Sequence, residues 1–135
     1  MNHWLVKSEP SEYGWADLEA KKEDIWDGIR NFQARNYLRD MRVGDQVLFY
    51  HSGKNKEIVG VAVVSEEAFP EAKDTEAQGW VAVRIRAGRA LAKPVALDTI
   101  KSEDRLSSLP LLKQSRLSVM PVEKNAFDLI LKLGS

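Results

Sequence analysis

The 135-residue sequence contains no cysteine, and that single absence removes disulfides, thiol nucleophiles, zinc fingers and iron–sulfur clusters together. It fits a reducing compartment. The sequence has no net charge either: 20 Lys and Arg face 20 Asp and Glu. No global field is then available to hold a polyanion, so a nucleic-acid site has to be a local basic patch with salt-dependent affinity. No apolar stretch is long enough to span a bilayer. The start, Met1-Asn2-His3-Trp4-Leu5-Val6-Lys7, lacks the basic segment and apolar run of a signal peptide. A soluble, cytoplasmic chain with no membrane partner is expected. Histidine is scarce, with only His3 and His51, and these stand at no metal-ligand spacing. No metal and no cofactor is expected. P-loop, dinucleotide and nucleophile-elbow motifs are missing, which leaves catalysis without a sequence signal.

What remains is a chain long enough to bury a core without staples, with no repeat and no linker, so residues 1–135 are expected to form one domain. His3 to Lys7 reads as a strand. Ser11 is a candidate N-cap for a short helix through Trp15 and Leu18. Asp24 to Gly28 reads as a short strand and a turn. From Asn31 to Arg42 the spacing of Ala34, Tyr37, Leu38 and Met41 predicts a helix, ended by Gly44. Gln46 to His51 and Ile58 to Val64 read as buried strands joined near Gly53, and Gly60 signals a bulge or a close backbone approach. Glu66 to Gly79 has little pattern and is expected to be a surface loop. Trp80 to Ala87 alternates as a half-exposed strand, with Val81, Val83, Ile85 and Ala87 on one face. Val122, Ala126, Leu129, Ile130 and Leu133 form a helical stripe between Pro121 and Gly134. The sum is an α+β chain of five or six strands, enough for a small barrel. No apolar stripe is left over, so a monomer is expected.

Three groupings could carry chemistry. Asn31, Arg35 and Arg39 recur at i, i+4, i+8 with Arg42 close behind, opposite the apolar stripe. Guanidinium groups in a row suit phosphate oxygens, although charged helix faces are usually just solvated. Trp26, beside the Gly28 turn, could be a stacking wall for a flat base, a contact of about 1–3 kcal/mol. Core packing is the commoner fate of such a tryptophan. Trp4, Phe49, Tyr50 and Phe127 lie on apolar patterns and are expected in the core. Tyr13 and Trp15 could rim a pocket, and Phe32 could serve either purpose. His51 and Ser52, at a strand end, could offer hydrogen bonds at a pocket mouth. Lys7, Ser8 and Glu9 adjoin one another, but neighbours on extended chain alternate in direction.

Four ordered motifs together resemble the EVE family: Trp4 to Pro10, Trp26 to Asn36, Val43 to Asp45 with Phe49 to Gly53, and Arg116 to Val119 with Pro121-Val122. The resemblance covers nearly the whole chain. It implies a PUA-like fold, a small β-barrel with flanking helices, related to YTH and ASCH domains. It also implies a non-catalytic nucleic-acid partner role: a pocket that takes one extruded, modified base, a cytosine in DNA for EVE domains or a methylated adenine in RNA for YTH domains. Carried onto this sequence, Trp26 supplies the stacking face. Ser8, Asp27 and Asn31 read the base edge, with His51, Ser52 and Ser118 completing the polar wall. Lys7, Arg30, Arg35, Arg39 and Arg116 hold phosphates, which position without specifying.

One stretch departs from the pattern. Many members carry a long acidic and aromatic insertion before the strand that begins here at Trp80, and this chain has only a short one. Two other readings stay open. Some ASCH-type relatives are amidohydrolases, and a small hydrolase of modified nucleosides would use Lys7 and Glu9, which flank Ser8 and can share a face. An RNA-binding or scaffold protein indifferent to modification is the other.

Overall fold

The computed structural model describes residues 1–135. Six strands and five helices follow one another: β1 (His3–Ser8), α1 (Trp15–Lys21), β2 (Glu23–Trp26), α2 (Phe32–Asp40), β3 (Gln46–His51), β4 (Glu57–Pro70), β5 (Val81–Ala96), α3 (Leu97–Ser102), α4 (Pro110–Lys113), β6 (Val119–Val122) and α5 (Lys124–Leu133), with a 3-10 turn at Asp104–Leu106. The strands make one mixed sheet in the order β2-β5-β4-β3-β1-β6. β1 runs parallel to β3 and antiparallel to β6, and the remaining pairs are antiparallel. The end strands β2 and β6 do not pair, so the expected barrel is not closed by hydrogen bonds. The sheet still curls strongly. The Trp26 ring on β2 lies 5.5 Å from the Phe49 ring on β3, although β5 and β4 stand between them in the sheet.

The core is continuous, and its fully buried members include Phe49, Phe127, Leu5, Leu38, Ile58 and Ile85. Each such side chain contributes roughly 1.5–3 kcal/mol by leaving water. The expected core aromatics Trp4, Phe49, Tyr50 and Phe127 are all buried. In α2, Ala34, Leu38 and the C-capping Met41 are buried on the stripe that the spacing predicts. Gly44 and Gly53 take φ of +94° and +88°, the left-handed turns for which glycine is suited. Gly60 meets both expectations. The pairing register shifts beside it, and a Cβ there would lie 2.5 Å from the Trp15 ring. The absence of a side chain lets Trp15 lie flat against the strand.

Three expectations change, and one stretch without an expectation gains structure. Helix α1 is capped by Gly14 rather than Ser11, because residues 9–13 form a tight turn in which Glu9 O accepts from the backbone N–H of Glu12 and Tyr13. The Asp17 carboxylate then accepts the Gly14 N–H at 2.7 Å. The predicted loop from Glu66 is strand as far as Pro70, which pairs with Val81, because register shifts on either side of Glu66 break the two-residue period. Only residues 71–80 form the loop. Ala82, placed on the outer face by alternation, is buried, since α2 packs across β5. Residues 97–113, unassigned from sequence, form two short helices and a 3-10 turn that tuck Ile100, Leu106, Leu109 and Leu111 inward.

Candidate functional site

A cleft of about 540 Å³ opens where the end of β1, the turn before α1 and the end of β2 converge. That volume lies within the range of about 300–1,000 Å³ typical of small-molecule sites. Trp26 is among its lining residues. The residue is only 8% exposed, and its ring stands edge-to-face with Tyr13 at 6.0 Å and Phe49 at 5.5 Å. The core role and the cleft-lining role of Trp26 therefore coincide. Ile25 and Ile29 add apolar wall.

The polar rim is rich in acceptors. The Ser8 hydroxyl donates its only proton to Tyr13 O, which leaves its lone pairs to accept. The Tyr13 hydroxyl donates to Asp24 Oδ2 at 2.6 Å. Burial first, then this bond, push the tyrosine well above its ordinary pKa, so it remains a phenol. Burial would raise the Asp24 carboxyl as well, but hydrogen bonds from Tyr13, Ile25 N–H and Lys21 outweigh it and hold the group below its ordinary value. Asp24 is thus a fixed anion. Asp27 pairs with Lys73 at 3.3 Å across the mouth. Lys7 donates to Ser115 O at 2.9 Å and lies 5.9 Å over the Tyr50 ring, and burial lowers its pKa.

Of the residues assigned to base recognition or phosphate contact, the structure brings Lys7, Ser8, Trp26 and Asp27 together in this cleft. It places the others elsewhere. Asn31 caps α2 by accepting the Ala34 N–H at 2.9 Å, and shares a separate shallow depression with Arg116. His51 Nε2 accepts the Trp15 N–H at 3.0 Å, so the ring holds α1 in place and is neutral there. Burial lowers its pKa further. Ser52 ties its N–H to Ser8 O, and Ser118 accepts the Lys7 N–H. Both support the end of β1 rather than line the cleft. Tyr13, a rim candidate from sequence, is there. Asp24, Lys21, Glu12 and Lys73 were not anticipated. Asp24 had a legible signal, since it lies two residues before Trp26 on one strand and so on the same face. Lys73 had none, because a loop lysine reaches the mouth only through the fold.

Arg30, just before α2, and Arg35 and Arg39 on it face the 71–80 loop. Arg30 makes a two-point ion pair with the buried Glu71, at 2.6 and 2.9 Å, and its guanidinium sits 5.2 Å over Trp80. Arg39 donates to Gly79 O at 3.2 Å. Arg35 lies 4.9 Å from the Phe32 ring centre and 5.8 Å from that of Trp80, and the two rings stack at 4.9 Å. Asp74 organises the loop by accepting from the N–H groups of Gln78, Gly79 and Trp80, bonds that outweigh burial and keep it ionised.

The EVE domain family model matches residues 2–133. The chain belongs to the EVE domain family. Among solved structures, the protein Rpa0253 of Rhodopseudomonas palustris superimposes with a TM-score of 0.94 at 42% identity, covering 99% of this chain and 93% of the other. Mouse thymocyte nuclear protein 1 is 33% identical over 165 residues, which span 98% of this chain and 73% of the relative. The human THYN1 protein, solved in complex with 5-methylcytosine-containing DNA, has a TM-score of 0.93 at 30% identity, covering 100% of this chain and 98% of that one. An ASCH protein of Zymomonas mobilis aligns with a TM-score of 0.61 at 13% identity, a likeness of fold alone that agrees with the PUA-like architecture.

Proposed function

We propose that this EVE domain is a non-catalytic reader of a modified cytosine in DNA, holding one extruded base in the cleft over Trp26. The observation that carries the reading is the pairing of an aromatic floor with a rim of fixed acceptors, Ser8 Oγ, Asp24 and Asp27. A cytosine presents an exocyclic amine, and carboxylates are its natural acceptors. An extruded base needs a flat surface beneath it and hydrogen bonds along its edge. Ile25 and Ile29 supply apolar surface for a base methyl, worth about 0.8 kcal/mol when buried. Lys7, Lys21 and Lys73 around the mouth supply positive charge for the backbone that delivers the base. The human relative bound to 5-methylcytosine DNA supports this choice of ligand over a modified adenine in RNA.

The hydrolase alternative requires Lys7 and Glu9 to act together. Lys7 is engaged with Ser115 O, while the Glu9 carboxylate accepts from the N–H and hydroxyl of Ser11. These separate commitments favour binding without turnover. The reading also takes the protein as a cytoplasmic monomer, and its solution mass with and without DNA tests the second half.

The deciding experiment is binding to short DNA and RNA strands carrying plain or modified cytosine or adenine, at two salt concentrations. A preference for a modified cytosine that disappears in Trp26→Ala is expected. Trp26→Phe, which keeps a flat ring against Phe49, guards against mistaking misfolding for lost recognition. Equal affinity for modified and plain strands would favour the modification-indifferent reading. Release of base or ammonia from free modified nucleosides, abolished by Lys7→Ala, would favour the hydrolase.

A further inference from the structure

Phe32 is an anomaly of this surface. It begins α2, yet the residue is 60% exposed, and few other large apolar residues are so open. It is not loose. It stacks on Trp80 at 4.9 Å with 18° between the planes, and the Arg30 guanidinium lies 5.2 Å from the Trp80 ring centre. With 60% of the residue exposed, much of the Phe32 ring stays open to solvent. Arg35 lies nearly as close to the Trp80 ring as to the Phe32 ring, so it sits beside the pair; beyond Phe32 it would be almost twice as far from Trp80.

The surroundings are cationic. Arg35, Arg39 and Arg42 form no ion pair, and their guanidinium groups bond only to the Asn36 amide oxygen and to backbone carbonyls. In a chain of zero net charge, Arg35 beside the ring and Arg39 one turn further along α2 put unpaired positive charge on this face. A depression lined by Asp74 and Glu76 as well as by cations links it to the cleft through shared residues. Lys73, which pairs with Asp27 at the mouth, lines this small depression with Arg30 and Trp80.

We propose that the open face of Phe32 is a second nucleobase-stacking site, taking a base that flanks the one held in the cleft. Arg35 and Arg39 grip the phosphates between the two bases. Stacking uses the face that every base has, so this site adds affinity without reading sequence or modification. Its partner is a polyanion with flat rings, which matches the charge and the shape of the patch together. The inference rests on nucleic acid as the ligand of the cleft, and its test separates the two.

The probe is a short single strand of DNA with one 5-methylcytosine, in which each flanking base in turn is replaced by an abasic site. For the wild-type protein, one replacement is expected to weaken binding about five-fold or more, the effect of one stacked base. Phe32→Ala should weaken the intact strand by a similar factor and then be indifferent to that same abasic site. Phe32→Trp should restore both affinity and the response. The exposure of Phe32 makes these variants safe for folding, and a thermal melt checks it. If Phe32→Ala binds the intact strand as the wild type does, or if the two losses simply multiply, the stacking site is refuted. If plain and methylated strands bind alike while the coupling to Phe32 persists, the modified-base reading falls and the stacking site stands. Absence of binding to any strand overturns both.

Discussion

Arg30 and Glu71 meet in a two-point ion pair, at 2.6 and 2.9 Å, between the turn that follows Trp26 and the start of the 71–80 loop. The Glu71 side chain is 1% exposed and also accepts the Gly28 N–H at 3.0 Å, where Gly28 has φ of +78°. The hydrogen bond from Arg30, foremost, keeps this carboxyl ionised despite its burial. One carboxylate therefore fixes the backbone that carries Trp26 and Asp27 and anchors the loop that carries Lys73 and Trp80.

The consequence is an asymmetry between the partners. Glu71→Ala should cost about 1–3 kcal/mol, since it frees the Gly28 N–H and leaves Arg30 able to reach water. Arg30→Ala should cost more, because it strands a buried carboxylate. Chemical denaturation of the two variants checks the order. If Arg30→Ala is the milder change, the pair is peripheral to stability.

Gly60→Ala should destabilise the fold by about 1–3 kcal/mol, the usual penalty of forcing atoms into a packed core. The new Cβ would lie 2.5 Å from the Trp15 ring. Trp15→Phe should recover part of the loss in the double variant. Simple additivity of the two changes in a melt would show that the clash is not with Trp15.

Arg35→Ala should weaken binding to all strands alike, modified or not, and lower the salt slope by about one phosphate contact. The measurement is affinity against salt concentration for methylated and plain strands. A selective loss on the methylated strand alone would move Arg35 from phosphate contact to base recognition.

Both histidines titrate below their ordinary value in the folded protein, chiefly through burial. For His51, nearby Glu57 and Glu9 oppose the shift without reversing it. The neutral form is therefore the one the fold prefers. The unfolded chain binds more protons near and below pH 6.5, so this contribution to stability is present above about pH 6.5 and is lost as pH falls through the lower folded values. His51→Gln should flatten the fall below about pH 6.5, and His3→Gln should remove a further part. Acid loss from Asp24, Asp45 and Glu71 belongs at lower pH, since their folded pKa values are depressed. An unchanged slope in the double variant would count against a neutral-histidine contribution.

The local elements were largely legible. Short apolar runs foretold β1, β3 and the start of β4, two-residue alternation foretold the start of β5, and the 3.6-residue stripe of Ala34, Leu38 and Met41 foretold α2. Where backbone conformation or close packing demands glycine, the residue announced it, as at Gly44, Gly53 and Gly60. The misreadings arose where long-range pairing overrides local pattern. Glu66 to Pro70 is polar and irregular by itself, yet it is held as strand by Val81 and Ala82 across the sheet.

The site divides in the same way. Lys7-Ser8 and Trp26-Asp27 were readable as pairs because each lies on a short patterned segment, and the family motifs singled them out. That they share one cleft was decided by the curl of a sheet in which β1 and β2 are not neighbours. The row of arginines on α2 was visible as spacing, but spacing cannot say what faces it. The packed 71–80 loop commits Arg30 to Glu71 and sets Phe32 against Trp80. The sequence by itself determined the family, the main elements and the residue types available for stacking and charge, because these depend on neighbours a few positions away. Only the tertiary structure decided which of them are free to meet a ligand, because a side chain's remaining hydrogen bonds and open faces depend on distant residues brought against it.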